Sequence, residues 1–157
     1  MANKLAHFIV ETLIEKNISI TAAESLTGGL FQAQITSVPG SSAIFRGGFV
    51  TYADEIKTQL LGVPAEVIQQ YGVVSYEVAV AMANGAQHNL QTDLAISFTG
   101  AAGPASLEGQ AAGTAWIGIN FQGQTDAYEI QQPDLSRNDF REFCCEQAFQ
   151  KISDLVL

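Results

Sequence analysis

A serine at the end of a predicted strand is the first candidate for chemistry. In ISITAAESLTGG (residues 18–29) an apolar, β-branched run leads into Ser25, and a helix is predicted to start at Gly28 and Gly29. The free N–H groups of that helix would lie near the hydroxyl, where they can stabilise an oxyanion or bind a phosphate. Two interpretations stay open: Ser25 is a nucleophile, or Ser25 or Thr27 is an ordinary helix N-cap.

A serine nucleophile needs a base, and Lys57 is the candidate. Both histidines lie on predicted helices and not at strand ends, which leaves a lysine or a carboxylate. Lys57 lies one helical turn past the predicted strand GGFVTY, which ends at Tyr52, and a tyrosine there can orient the lysine or relay its proton. A lysine acts as a base when burial or a nearby cation lowers its pKa. The alternative is a surface lysine that balances Asp54 and Glu55.

A second polar, glycine-containing turn follows another predicted strand, in FTGAAGP (residues 98–104). Thr99 can donate a hydrogen bond to a ligand. Gly100 and Gly103 permit a positive φ and a close approach of the backbone. The alternative is a tight loop without a ligand.

Two arginines and one glutamate complete the candidates. Arg137 and Arg141 lie one helical turn apart at the start of the last predicted helix, where an arginine can pair with a phosphate or form a solvated face. Glu24 can hold Lys57 or a ligand hydroxyl, or face water.

Hydrophobic periodicity and turn residues predict the elements that must position these side chains. Strands are predicted at 18–23, 43–52, 93–100, 114–121 and 125–130, and helices at 4–16, 28–38, 53–62, 64–72, 75–90 and 136–156. Residues 101–113 are predicted to form a loop, and Gln122-Gly123 the turn of a hairpin.

This order predicts an α/β fold: one three-layer α/β/α domain over residues 1–157, with a mixed sheet of about five strands. In such sheets ligands bind beyond the carboxyl ends of the strands. The segments ESLTGG and FTGAAGP both follow strands, so this edge is where the sequence places the site.

Composition limits the classes of function. The net charge of −9 argues against broad binding to nucleic acid, and no apolar run is long enough to span a bilayer. Cys144 and Cys145 are adjacent, which suits neither a long-range disulfide nor a metal site. We therefore expect a cytoplasmic protein, and one small anionic ligand in a local positive pocket stays compatible with the charge. We expect no cofactor. We also expect a homo-oligomer.

The motifs together resemble one family. TAAESLTGGL, VPGSSAIFRGGFVTYADEIKTQLLGVP, YGVVSYEVAVAMANGA, DLAISFTGAAGP and GTAWIGI follow in order, most strongly over residues 21–119. This is similar to the C-terminal domain of CinA, the competence- and damage-inducible protein, a domain that also occurs as the stand-alone nicotinamide-nucleotide amidase often called PncC.

The resemblance implies an amidohydrolase that converts nicotinamide mononucleotide to nicotinate mononucleotide and ammonia, for recycling of pyridine nucleotides. It implies Ser25 as nucleophile and Lys57 as base, without a metal, and gives Tyr52, Thr99 and Arg137 supporting roles in catalysis or nucleotide binding. The mechanism that follows has Tyr52 orienting the pair, N–H groups of Thr27 to Gly29 stabilising the oxyanion, and Arg137 with the TGAAGP loop holding the phosphate.

The chain departs from the family pattern at three places. Leu26 stands where the family has cysteine, ASLEGQAAG replaces a glycine-rich loop with Glu-Lys-Pro, and LSRND replaces Gly-Asp-Arg. Two alternative functions stay open: a non-catalytic nucleotide-sensing or protein-interaction module linked to competence and DNA damage, and an amidase for a related small amide.

Overall fold

The computed structural model describes residues 3–157 as a five-stranded mixed sheet between helices. The helices are α1 (Lys4–Lys16), α2 (Leu30–Thr36), α3 (Asp54–Leu61), α4 (Ala65–Tyr71), α5 (Tyr76–Leu90) and α6 (Arg137–Val156). The strands are β1 (Ile20–Glu24), β2 (Phe49–Val50), β3 (Leu94–Ala101), β4 (Thr114–Phe121) and β5 (Gln124–Gln131). The predicted α/β class and the mixed sheet of about five strands are confirmed.

The strand order is β2-β1-β3-β4-β5. β2, β1 and β3 are parallel, whereas β4 and β5 are antiparallel to their neighbours. Gln122 and Gly123 both have positive φ (54° and 81°), which is the backbone of a type I′ turn and fits the right-handed twist of the β4–β5 hairpin. The parallel half of the sheet brings the carboxyl ends of three strands to one edge.

Both faces of the sheet are covered, so β1 is buried at every residue. One core contains Ile9 of α1, Phe31 of α2 and Phe149 of α6 against one face. The other core places Val78 and Met82 of α5 against the opposite face. Alternation along β1 sends Ala22 into the first core and Ala23 into the second, which is the period-2 pattern of a strand between two helical layers.

The predicted second strand over 43–52 is wrong for most of its length. Ser41–Ala43 form a turn of 3₁₀-helix, and only Phe49–Val50 pair with β1 in a ladder. Between them the Thr21 hydroxyl donates to the Gly47 carbonyl at 2.8 Å, a side-chain bond in place of a ladder bond. A Cβ at Gly48 would overlap the Gln32 side chain and lie 2.9 Å from the Ala22 backbone carbonyl oxygen, so only glycine fits between α2 and β1 here.

Candidate active site

A cleft of about 440 Å³ lies at the carboxyl ends of the parallel strands. Glu24 pairs with Val50 on one side and Phe98 on the other, so the segments that follow β1 and β2 and the end of β3 meet at one level of the sheet. The loop from β3 to β4 forms another wall, because β4 is antiparallel and starts at this edge. Ser25 lines the cleft, as predicted for the segment ESLTGG.

Ser25 lines this cleft, and Lys57 lies buried beside it. Lys57 Nζ is 3.1 Å from Ser25 Oγ and 3.0 Å from the Tyr52 carbonyl oxygen. Lys57 is only 1% exposed and Ser25 8% exposed, so the alternative of a surface lysine is wrong. The nearest carboxylate oxygen, Asp54 Oδ1, is 4.0 Å from Nζ and half exposed. The pair therefore has the hydrogen-bond geometry of a nucleophile and its base.

Burial makes Lys57 easier to deprotonate than a solvent-exposed lysine. Burial lowers the pKa of Lys57 below its usual value, because an ammonium group loses its hydration in the interior. The carboxylates of Asp54, Glu55 and Glu108 act in the opposite direction and raise the pKa, but by less than burial lowers it. A neutral amine can accept the serine proton, whereas an ammonium cannot.

Tyr52 orients Lys57 through its backbone and not through its ring. The carbonyl oxygen of Tyr52 accepts a hydrogen bond from Lys57 Nζ, while the side chain is 61% exposed and its hydroxyl accepts one from Arg137 Nη2 at 3.1 Å. The prediction that Tyr52 orients the pair therefore needs a correction in the responsible atom. A proton relay through the phenol has no geometric basis, since the hydroxyl contacts the arginine.

Glu24 has a different place from either of those predicted. It is fully buried, so it does not face water, and it does not hold Lys57. Its Oε1 accepts the N–H groups of Gly29 and Phe31, and its Oε2 accepts the backbone and side-chain N–H groups of Gln32, at 2.8–3.2 Å. Both oxygens are thus occupied by the start of α2, and the predicted substrate contact of Glu24 has no free oxygen to make it.

The N-cap interpretation of Ser25 and Thr27 is wrong for the same reason. The N-cap of α2 is Gly29, with φ of 102°, and no hydroxyl caps the helix. Thr27 is buried, and its hydroxyl has no hydrogen-bond partner within residues 3–157. A carboxylate from the preceding strand satisfies the free N–H groups that a neighbouring hydroxyl usually accepts.

The predicted oxyanion donors change accordingly. The Gly28 N–H donates to the Ser25 carbonyl oxygen at 3.1 Å, and the Gly29 N–H donates to Glu24. Within the turn 25–29, the N–H groups of Leu26 and Thr27 are the two that make no hydrogen bond to any group of residues 3–157. Of the predicted donors Thr27 to Gly29, the structure therefore leaves Thr27 free and adds Leu26, the residue directly after the serine.

The second polar turn contributes shape and backbone to the cleft. Thr99 is buried and its hydroxyl donates to the Val73 carbonyl oxygen at 2.6 Å, so the predicted ligand contact through this hydroxyl does not fit. A Cβ at Gly100 would lie 2.5 Å from the Ala115 Cβ, which makes glycine necessary for the approach of β3 and β4. Gly103 has φ of 95°, and both glycines line the cleft.

The two arginines of α6 have separate tasks. Arg137 lines the cleft and donates from Nη1 to the Gly103 carbonyl at 2.7 Å, as well as from Nη2 to Tyr52. Arg141 instead donates to the Leu26 and Thr27 carbonyls on the turn that carries Ser25. Of the two, Arg137 is placed to meet an anion in the cleft.

Sequence reasoning missed Glu108, which lines the cleft and accepts the Val73 N–H at 2.9 Å. The signal was present, because Glu108 is the only charged residue in the loop 101–113. Glu108 and Asp54 are two carboxylates in the lining of the cleft, opposite in sign to Arg137.

Cys144 and Cys145 are buried in α6, away from the cleft lining. Burial raises the pKa of the Cys144 thiol to about 12 and that of Cys145 well above its usual value, so both stay protonated. Among residues 3–157, no three His, Cys, Asp or Glu side chains cluster closely enough to bind a metal ion. Across the same residues, no helix combines the length and apolar character required to cross a membrane.

Comparison with known proteins gives consistent matches. The chain is 50% identical over 147 residues to a protein of Limosilactobacillus fermentum provisionally named competence-damage inducible protein, a match that covers 93% of this chain and 36% of that protein. It is 48% identical over 153 residues to a protein of Listeria welshimeri with the same name, covering 97% of this chain and 37% of the relative. The chain thus spans about a third of the length of these curated relatives.

Solved structures share the fold over nearly the whole chain. A CinA superfamily protein from Klebsiella pneumoniae superposes with a TM-score of 0.94 at 28% identity, over 98% of this chain and 96% of that one. The competence/damage inducible protein CihA from Agrobacterium tumefaciens gives 0.92 at 30% identity, over 97% and 93%. The family model described as the CinA C-terminal domain matches residues 2–156. Because this model spans nearly the whole sequence, the chain belongs to the CinA C-terminal domain family.

Proposed function

We propose that the chain is a nicotinamide-nucleotide amidase, which hydrolyses nicotinamide mononucleotide to nicotinate mononucleotide and ammonia. One observation carries the proposal: a fully buried lysine, held by a backbone carbonyl, has its amine 3.1 Å from the hydroxyl of a serine that lines a cleft. Burial of a lysine without an equally buried carboxylate is costly, and such groups are concentrated where catalysis requires a lowered pKa.

The chemistry follows from the geometry. Neutral Lys57 accepts the proton of Ser25 as Oγ attacks the carboxamide carbon, and the oxyanion is stabilised by the free N–H groups of Leu26 and Thr27. Removal of one such donor typically costs ~100–1000-fold in kcat. The Lys57 ammonium then gives its proton to the leaving ammonia. Water attacks the acyl-enzyme and loses a proton to Lys57, and Lys57 returns that proton to Ser25 Oγ as the bond to the acyl group breaks and nicotinate mononucleotide leaves.

The charges of the cleft fit the two charged parts of this substrate. The ring is a pyridinium cation, and the Asp54 and Glu108 carboxylates line the same cleft as Ser25. The phosphate is an anion, and Arg137 is the arginine that lines the cleft. The volume of about 440 Å³ is within the usual range for a small-molecule site.

Ammonia release from nicotinamide mononucleotide tests the proposal, with wild type, Ser25→Ala and Lys57→Met in parallel. Both variants are expected to lose kcat by ~1000-fold or more, because nucleophile and base act as a unit. Ser42→Ala and Lys16→Met are matched controls at exposed positions and are expected to keep wild-type activity. Full activity of Ser25→Ala would show that the mechanism is wrong.

A substrate panel separates the alternatives. Nicotinamide, its riboside and the mononucleotide differ in the ring charge and the phosphate, so a preference for the mononucleotide supports Arg137 as the phosphate contact. Hydrolysis of another small amide without that preference would point to a different amidase. Binding of the mononucleotide without ammonia release would point to a nucleotide-sensing module.

A further inference from the structure

One guanidinium group holds the turn that carries the candidate nucleophile. Arg141 Nε donates to the Leu26 carbonyl and Nη2 to the Thr27 carbonyl, both at 2.9 Å. Its Nη1 donates to Asn138 Oδ1 at 3.1 Å, which fixes the side chain along α6. Arg141 does not line the cleft, so its effect on a substrate passes through the backbone of the turn.

Because peptide groups are planar, these two hydrogen bonds fix the orientation of three successive peptide groups. In a planar trans peptide the C=O and the following N–H point in opposite directions. Holding the Leu26 carbonyl therefore fixes the direction of the Thr27 N–H. Holding the Thr27 carbonyl fixes the Gly28 N–H, which donates to the Ser25 carbonyl at 3.1 Å. That bond in turn fixes the Leu26 N–H, the partner of the Ser25 carbonyl in its peptide group.

The absence of a side chain at Gly28 leaves room for the Arg141 guanidinium group beside the turn. Gly28 has φ of 59°, and a Cβ there would lie 3.3 Å from Arg141 Nη2, closer than side chains usually pack. The other end of the turn is fixed by the Ser25 N–H, which donates to the Phe98 carbonyl of β3 at 3.0 Å. The two N–H groups that remain free, of Leu26 and Thr27, are those whose directions the Arg141 bonds determine.

We propose that Arg141 is a positioning residue, which aims the N–H groups of Leu26 and Thr27 at the oxyanion formed when Ser25 attacks. The inference rests on the proposed function in that it takes Ser25 as the nucleophile. A lysine at this position keeps the charge but lacks the planar fork that spans two consecutive carbonyls. Arg141→Lys is therefore the informative substitution.

The test measures kcat, KM and reaction of Ser25 with a fluorophosphonate, in wild type and Arg141→Lys. In labelling, the Ser25 Oγ–P bond forms as the P–F bond breaks, fluoride leaves and the serine proton passes to Lys57. The phosphoryl oxygen needs the same donors as the oxyanion, but no amide substrate is required. Arg141→Lys is expected to lower kcat and the labelling rate by about 10–100-fold, with KM within about threefold of wild type.

Two control variants separate an effect of Arg141→Lys on the turn from a general loss of protein stability. Arg46→Lys makes the same change at an exposed arginine, and Ile152→Val destabilises the core without touching the turn. Both are expected to keep wild-type kcat and labelling. The pH at which labelling accelerates, which reports Lys57, is expected to be the same in Arg141→Lys as in wild type.

The outcomes separate this inference from the proposed function. If wild type reacts with the fluorophosphonate but releases no ammonia, and Arg141→Lys reacts more slowly, the amidase proposal fails and the positioning role stands. Labelling of Arg141→Lys at the wild-type rate would overturn the inference. So would an unreactive wild-type Ser25, or an equal loss of labelling in Ile152→Val.

Discussion

Replacement of Glu24 by glutamine measures how much the buried carboxylate stabilises the fold. Its two oxygens accept four hydrogen bonds from the start of α2, from the N–H groups of Gly29, Phe31 and Gln32 and from the Gln32 side chain. Glutamine has nearly the same shape, but an NH₂ group replaces one oxygen. Two donors then face a donor and lose their acceptor in a fully buried place.

The cost follows from those two lost bonds. A buried donor without a partner costs roughly 1–3 kcal/mol, and the easier burial of a neutral side chain offsets part of the sum. We expect the free energy of unfolding to fall by about 3 kcal/mol, a large part of the roughly 5–15 kcal/mol typical of a domain. For a domain of this size the melting temperature would fall by about 6–12 °C.

Urea unfolding followed by circular dichroism gives this free energy, and a thermal scan gives the melting temperature. Glu15→Gln, on an exposed face of α1, makes the same charge change and is expected to unfold like wild type. If Glu24→Gln and Glu15→Gln both stayed within about 0.5 kcal/mol of wild type, the carboxylate would not be the cap that the hydrogen bonds indicate.

Three further predictions concern the site and the thiols. The Asp54 carboxylate raises the pKa of Lys57, so Asp54→Asn is expected to lower that pKa further. The acidic limb of the kcat/KM profile, where activity falls as Lys57 is protonated, should then move to lower pH. A limb at the wild-type pH would exclude Lys57 as the base. Tyr52→Phe keeps the backbone carbonyl that holds Lys57 but loses the hydroxyl contact to Arg137, so KM should rise while the acidic limb of the kcat/KM profile stays at the same pH. A shift of that limb would indicate that the Tyr52 hydroxyl relays the proton. Iodoacetamide at pH 8 is expected to modify Cys144 and Cys145 only when the protein is unfolded in urea, because both thiols are buried and have a raised pKa. Mass spectrometry measures the modification, and rapid alkylation of the folded protein would contradict their burial.

The sequence patterns predicted correctly those helices and turns whose conformation depends mainly on residues close together in the chain. The helix predicted at 4–16 is found at Lys4–Lys16, because its apolar spacing places Ile9, Val10 and Leu13 on the buried face. The hairpin turn at Gln122-Gly123 is also confirmed, since its conformation depends on two adjacent residues. The second strand was predicted too long because its β-branched and aromatic residues favour extension, whereas the contact of Gly48 with α2 depends on tertiary packing.

The sequence by itself determined the chemical types at the site and the edge of the sheet where they gather. Ser25, Lys57 and Arg137 were identifiable because strand ends, a helical turn and a helix start are local features. Tertiary structure alone decided the partners: Ser25 and Lys57 are 32 residues apart and meet at 3.1 Å through the pairing of β1 with β2. It also decided that Glu24 accepts the N–H groups at the start of α2 and that Arg141 donates to the turn that carries Ser25, because hydrogen-bond donors are satisfied by the nearest acceptor in space, whatever its distance along the chain.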